Sequence, residues 1–321
     1  MAASNELNVN IHIYIHSDQH DDAVKRNTIA FDQEQFSASL KQAIEKAQLS
    51  RSAKTTINYA TAARSLLHFL KQREDNTDLS VEVIEQYQQW LRKQGLSMNT
   101  ISCYMRSLRS LSKRFLPAVE HIFSTAFTGH IKTEKRAIKE ADVLKLQRLC
   151  LPKGSSIELA RDMFLFSFYA QGMPFIDMAH LKKTQIIGNH ISYSRHKTGQ
   201  PIDIYIEACM HEIINRYCSN NSEYVFPIIR NDEAYDHQLN RYNRLLKQLA
   251  KKAGLDSNIT SYVARHTWAT IAYQSNVELS VISKALGHTN PQTTLIYIKE
   301  ISDGKLEKAN KNILNAFQTK K

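Results

Sequence analysis

The 321-residue chain carries 42 Lys and Arg against 31 Asp and Glu, a formal net charge of +11 with an isoelectric point near 9.4. Such a balance favours a polyanionic partner or an acidic membrane surface, and 42% hydrophobic residues with nine glycines and six prolines exclude a low-complexity chain. No apolar run approaches the ~20 residues that span a bilayer, and the start M-A-A-S-N-E-L lacks a basic-then-apolar signal, so a soluble, cytoplasmic protein with no membrane partner is expected.

The length allows about two domains plus an accessory segment. Residues 1–50 read as that accessory piece. Val9, Ile11, Ile13 and Ile15 alternate with polar residues as in a strand, and Phe36, Leu40, Ile44 and Leu49 mark a following helix. The piece is net −3, against +11 for the whole, so it is a poor phosphate-binding surface. His12, His16 and His20 share one exposed face of a strand pattern, which is not a metal-ligand signature.

Residues 51–122 read as a small helical domain. Tyr59, Ala62, Ala63, Leu66, Leu67 and Leu70 form one amphipathic helix. Ser80 opens a second with Ile84, Tyr87, Trp90 and Leu91, which Gly95 stops. Ser97 opens a third with Ile101, Tyr104, Met105, Leu108 and Leu111. Arg106, Arg109 and Lys113 make a basic stripe opposite that apolar one; alone it reads as a solvated face, and beside a DNA-acting site it reads as a backbone contact. Residues 123–137 lose the periodicity and carry Lys132, Lys135 and Arg136, which suits a basic linker lying along DNA.

The rest, 138–321, reads as a second domain. A helix runs from Ile138 to Cys150, an apolar helix spans Met163 to Ala170, and a short one spans Ile176 to Leu181. Gln185 to Ile187, His190 to Arg195 and Ile202 to Ile206 then alternate as a β-meander with turns at Gly188-Asn189 and Lys197 to Gln200. Helices return from Met210 and from Gln238 to Ala253. The four cysteines, Cys103, Cys150, Cys209 and Cys218, are scattered, without a C-x-x-C pair, and read as reduced thiols.

The densest pattern lies near the end: Y-V-A-R-H-T-W-A-T, then A-L-G-H-T-N-P-Q-T-T-L-I-Y-I. Ser261 is the expected N-cap of a helix bearing Tyr262, Arg265 and Trp268 on one face, and Ser280 that of a second short helix. Gly287 suits the left-handed residue that ends it and turns out His288. Asn290-Pro291 reads as the cap and first residue of a third helix carrying Tyr297.

R-H-x-x-A-T followed by L-G-H and T-T-x-x-Y resembles the C-terminal signature of the tyrosine recombinases, the phage-integrase-like family that cuts and rejoins DNA. Tyrosine in place of the usual histidine at 262 is similar to a divergent branch found on mobile elements and invertible segments of Bacteroidetes-type bacteria. The resemblance covers roughly residues 51 to 321, and includes G-L-S-x-N-T before the third helix of a core-binding domain. It implies a mainly α fold with a small antiparallel β-sheet, made of a helical SAM-like domain and an α+β catalytic domain.

The resemblance also implies roles. Tyr297 is the nucleophile that forms a 3′-phosphotyrosine, Arg265 clamps the phosphate, and His288 donates a hydrogen bond to it. Tyr262 replaces an imidazole donor, Lys197 in R-x-K-T-G surroundings is the general acid, and His266 and Asp177 support the site. As isolated residues these have plainer readings: a core tyrosine, an ion-paired arginine, a helix-capping histidine, a solvated lysine. The pattern departs from the family at one point. Where most members read T-G-L-R-x-x-E, this chain reads A-Q-G-M-P-F-I-D, with Pro174 at the arginine's position and Asp177 at the acid's. Arg195, on the same side of the expected sheet as Lys197, is the substitute cation, ahead of Arg161.

No cofactor, metal or ATP is implied. The implied partners are double-stranded DNA with paired recombination sites, a homo-tetramer assembled on them through a C-terminal tail (Leu306, Ile313, Leu314, Phe317), and accessory DNA-bending or directionality factors. The implied location is the bacterial nucleoid. Two competing readings remain: a catalytically weakened DNA-binding member of the fold, and a type IB-like topoisomerase.

Overall fold

The computed structural model describes residues 29–30, 32–73, 78–131, 137–218, 221–228, 235–290, 292–295 and 311. The expected strand at residues 9–15, the linker cations Lys132, Lys135 and Arg136, the nucleophile position Tyr297 and the tail residues 306–317 named above lie outside them. The chain divides into two compact units, Met1–Thr133 and Glu134–Lys321.

The first unit is helical. A two-residue strand, β1 (Ile29–Ala30), pairs antiparallel with β2 (Asp78–Leu79). The helices are α1 (Gln33–Ser50), α2 (Ala53–Lys71), α3 (Val81–Lys93) and α4 (Met98–Phe115), followed by a 3-10 turn over Pro117–Phe123. Each helix starts where a short polar side chain can satisfy an otherwise unpaired N–H. Asp32 accepts from Glu34 and Gln35, Ser52 from Thr55, Ser80 from Val83 and Ser97 from Thr100. Gly95, at φ +79, turns the chain between α3 and α4 as expected.

Phe36, Leu40, Ala43 and Ala47 of α1 join Tyr59, Leu66, Leu70, Tyr87, Met105 and Leu108 in one core. The described helix of the 1–50 segment is therefore part of the same folded body, not an appendage. The small Ala43 and Ala47 permit close packing on α2 and α4, whereas Leu49, expected on the apolar side, is 91% exposed. Arg106, Arg109 and Lys113 lie exposed along α4, opposite its buried Ile101, Met105 and Leu108.

Beyond α4 the chain is pinned back on it. Asn99 donates to the Ile131 carbonyl and accepts from the Ile131 N–H, both at 2.8 Å.

The second unit opens with α5 (Glu140–Arg148), α6 (Ser156–Tyr169) and the short α7 (Phe175–Ala179). A three-stranded antiparallel sheet follows: β3 (Ile186–Ile187), β4 (His190–Ser194) and β5 (Pro201–Tyr205), in that spatial order. Then come α8 (Ala208–Tyr217), α9 (Tyr235–Lys252), α10 (Val263–Gln274), α11 (Leu279–Ala285) and α12 (Gln292–Leu295). Phe164, Phe166, Phe226, Leu246 and Val263 are among the residues of its core, which explains the near-continuous apolar run of α6: the helix is surrounded. Among the described residues, no helix is long and apolar enough to cross a membrane.

Two expected caps are displaced. The residue flanking α10 is Tyr262, without a side-chain cap, while the Ser261 N–H donates to Asn243 Oδ1. At α11 the flanking residue is Glu278, and Ser280 donates to its carboxylate. At α11 the Glu278 carboxylate, two residues earlier in the chain, takes the hydroxyl that would otherwise cap the helix. Asn290 does cap α12, its Oδ1 accepting from the Gln292 N–H.

Candidate active site

Four separate pieces of the second unit deliver side chains to one point. After α6, Gln171 and Gly172 both take left-handed backbone (φ +56 and +75), and Ser167 holds the turn by accepting at its carbonyl from Gly172 and Met173. This aims the Gly172 carbonyl at α10, where Arg265 Nη1 donates to it at 3.0 Å. A Cβ at 172 would stand 2.9 Å from the Arg265 Cα and Cγ, so glycine is required by contact as well as by φ.

Arg265 is only 2% exposed, and its Nη2 donates to the Leu286 carbonyl at the end of α11. Arg195, 5% exposed, donates through Nη1 to the same oxygen at 2.8 Å. The parity of β4 explains its place, because Ile191, Tyr193 and Arg195 face inward together. Gly287, at φ +64, clears its path: a Cβ there would lie 2.8 Å from the Arg195 Cγ.

Asp177, one turn into α7, stands against Arg195 with Oδ2 2.9 Å from Nε, an ion contact rather than an aligned hydrogen bond. Its Oδ1 accepts from the His196 N–H at 3.0 Å. Burial holds the Asp177 carboxyl above the usual carboxylate range, opposed by that N–H and by Arg195 and Arg265.

His288, half-buried just past Gly287, has Nε2 3.0 Å from Arg265 Nη2 and Nδ1 2.8 Å from the Thr294 hydroxyl. Burial, then the charges of Arg265, Arg195 and Lys197, push its pKa down to about 4. The imidazole is therefore neutral at physiological pH. The described cluster is two guanidiniums, one carboxylate and one neutral ring, an excess of positive charge.

The other expected site residues fall into place differently. Lys197 does not share the buried side with Arg195: β4 ends at Ser194, the turn closes through Arg195–Gln200 and Arg195–Gly199 main-chain bonds, and Lys197 is exposed. The alternation stops where the ladder stops. Tyr262 is 41% exposed with its ring 5.6 Å from that of His266, so the two form a pair at the start of α10. Arg161 is committed elsewhere, to Asp162, Glu158 and the Leu149 carbonyl. The sequence reading missed two partners, Thr294 and the Leu286 carbonyl. The second threonine of T-T-x-x-Y was the one visible signal for the first, while a main-chain acceptor leaves no trace in side-chain identity.

The phage integrase family matches residues 137–302, and the phage integrase SAM-like domain matches residues 35–114. The tyrosine recombinase XerD of Oceanobacillus iheyensis is 25% identical over 226 residues, 64% of this chain and 73% of that protein. Among solved structures, a lambda integrase dimer bound to a COC′ core site superposes with a TM-score of 0.64 at 16% identity, over 83% of this chain and 99% of that one. A lambda integrase tetramer bound to a Holliday junction also gives 0.64, at 15% identity, over 83% and 79%. At such identities the structures speak for the fold: a SAM-like helical domain and an integrase catalytic domain, mostly helical with one small antiparallel sheet. The family match, which spans more than half of the sequence and contains every member of the cationic cluster, shows that the chain belongs to the phage integrase family of tyrosine recombinases.

Proposed function

We propose that this chain is a site-specific DNA recombinase, an integrase or invertase, that breaks and rejoins strands through a 3′-phosphotyrosine on Tyr297. The observation that carries the reading is the convergence of Arg195 and Arg265 on one carbonyl oxygen beside His288. A guanidinium presents parallel N–H groups to two oxygens, as phosphate recognition requires. In this reading the non-bridging oxygens of a phosphodiester take over N–H groups now held by Leu286. Arg195 then supplies the cation missing at Pro174, and its contact with Asp177, the family's acidic position, supports that substitution.

Tyr297 attacks phosphorus in line, the two arginines stabilise the charge that builds on the oxygens, and Lys197 protonates the leaving 5′ oxygen. Its place at an exposed hairpin turn, close enough to act on His288 electrostatically, fits an acid that must reach into DNA. Tyr262 and His266 border the site on α10. The covalent phosphotyrosine keeps the bond energy for religation, so strand exchange draws on no ATP. The exposed Arg106, Arg109 and Lys113 contact the phosphate backbone from the first unit, and Lys132, Lys135 and Arg136 do so from the linker at 123–137. By analogy with the tetrameric integrase on a Holliday junction, the working form is a tetramer on paired DNA sites in the bacterial nucleoid, helped by accessory DNA-bending or directionality factors.

The test is a nicked suicide duplex carrying the element's own junction sequence. Wild type should yield an adduct that survives denaturation, and Tyr297→Phe should yield none. A second reading, a DNA-binding member with a weakened site, is motivated by Pro174, where most of the family carries arginine, and by Gln171, where the divergent branch commonly does. Wild-type protein that shifts the duplex but forms no adduct would select it.

A further inference from the structure

Arginine has only donors, so the 3.0 Å approach of Arg265 Nη2 to His288 Nε2 fixes that nitrogen as the acceptor. The ring proton then belongs on Nδ1, and Nδ1 lies 2.8 Å from Thr294 Oγ1. Thr294 is 0% exposed, on the one turn of α12, three residues before Tyr297 in sequence. A hydroxyl can donate or accept, but toward an N–H it can only accept. A hydroxyl serves Nδ1 in either form, so the Arg265 contact selects the tautomer: an Nε2–H would point at the guanidinium N–H, and the Nδ1–H that replaces it finds its acceptor in Thr294.

We propose that Thr294 is a positioning residue that holds His288 as the Nδ1–H tautomer, so that Nε2 keeps the lone pair that faces Arg265. The lowered proton affinity of the ring supports this, because a neutral imidazole keeps the lone pair that Arg265 requires. Two consequences follow. His288 helps to orient the Arg265 guanidinium, beside the Gly172 and Leu286 carbonyls that also hold it. Thr294, in turn, ties α12 to the ring that touches the arginine, so the place of α12 and the orientation of His288 are coupled through one hydroxyl.

The catalytic consequence rests on the recombinase reading; the tautomer does not. Nitrogen-15 long-range correlation spectra of the full-length protein at pH 7.5, with His288 assigned by loss of its signals in His288→Gln, report the tautomer directly. The Nδ1–H form is expected in wild type and in Thr294→Ser, and a mixed or Nε2–H population in Thr294→Val. In the suicide-duplex assay Thr294→Val should cut about 10- to 100-fold more slowly, with an altered pH profile, and Thr294→Ser should recover most of the rate. An Nε2–H tautomer in wild type overturns the proposal, as does a Thr294→Val spectrum unchanged from wild type. Should no variant or wild type cleave DNA, the recombinase reading falls while the tautomer measurement still decides this one.

Discussion

Two arginine clusters among the described residues of the second unit differ in charge balance. Around α6, Arg161 and Arg216 meet Glu158 and Asp162, with Arg161 Nε 2.8 Å and Arg216 Nη1 2.6 Å from the Asp162 carboxylate. The Tyr217 hydroxyl also donates to Asp162, and the Gly154 N–H to Glu158. Two cations face two anions, and the set is closed. Around α10, Arg195 and Arg265 face one carboxylate among the described residues, Asp177, and are otherwise held there by neutral carbonyls and the His288 ring. Buried cations left in excess are costly to a fold, by several kcal/mol per uncompensated ion. A closed cluster staples α6 to α8, whereas an open one stores attraction for an anion from outside.

Breaking the closed cluster should cost stability most. Arg161→Met leaves Asp162 and Glu158 short of a partner and should lower the unfolding free energy by about 3–5 kcal/mol, read by denaturant titration. Breaking the open one should cost activity instead. Arg195→Gln should slow suicide-substrate cleavage by about 100- to 1000-fold, equivalent to about 3–4 kcal/mol, while its stability loss stays below that of Arg161→Met. Equal stability losses in the two variants would erase the distinction.

A steric change sharpens it further. Gly287→Ala forces a Cβ to 2.8 Å from Arg195 Cγ at φ +64, and should cost about 1–3 kcal/mol together with part of the cleavage rate. The same methyl at Gly154, beside the closed cluster and also at positive φ (+74), meets nothing within 4 Å, so it should cost stability through its backbone alone and leave cleavage intact.

The smallest effect is a pH dependence. The His288 pKa in the fold, about 4, lies below the ~6.5 of an unfolded histidine. Between those values the unfolded chain binds a proton that the native state does not. Stability present above pH 6.5 is therefore lost as pH falls toward 4, by on the order of 1 kcal/mol given the ring's half exposure. His288→Gln should remove that slope from a series of denaturation curves. Arg195→Gln should shrink it, because one of the charges that repel the proton is gone.

Much of this was legible in residue order, for reasons that can be named. Period-3.6 apolar spacing marks α2, α3 and α4 because each has one buried side, and period-2 spacing marks β4 and β5 because only one face of the sheet is covered. Gly287 was legible because few other residues accept its backbone angle. Arg195 was read onto the buried side from strand parity, yet the same parity put Lys197 there too, and failed because a turn has no pleat. The cap at Ser280 fails because the Glu278 carboxylate takes its hydroxyl, and the one at Ser261 because α10 begins one residue later, after Tyr262. The 1–50 boundary was drawn on charge, and α1 hides its contribution to the core behind alanines, which carry little hydropathic signal.

The amide of Asn99 holds both main-chain groups of Ile131, as a neighbouring strand would. A load applied along the polypeptide from residue 132 onward therefore arrives at the first turn of α4, within two turns of Arg106, rather than at the end of the 3-10 turn eight residues earlier in the chain. Asn99→Ala would move that anchorage, changing how force reaches the basic helix without altering any of its cations.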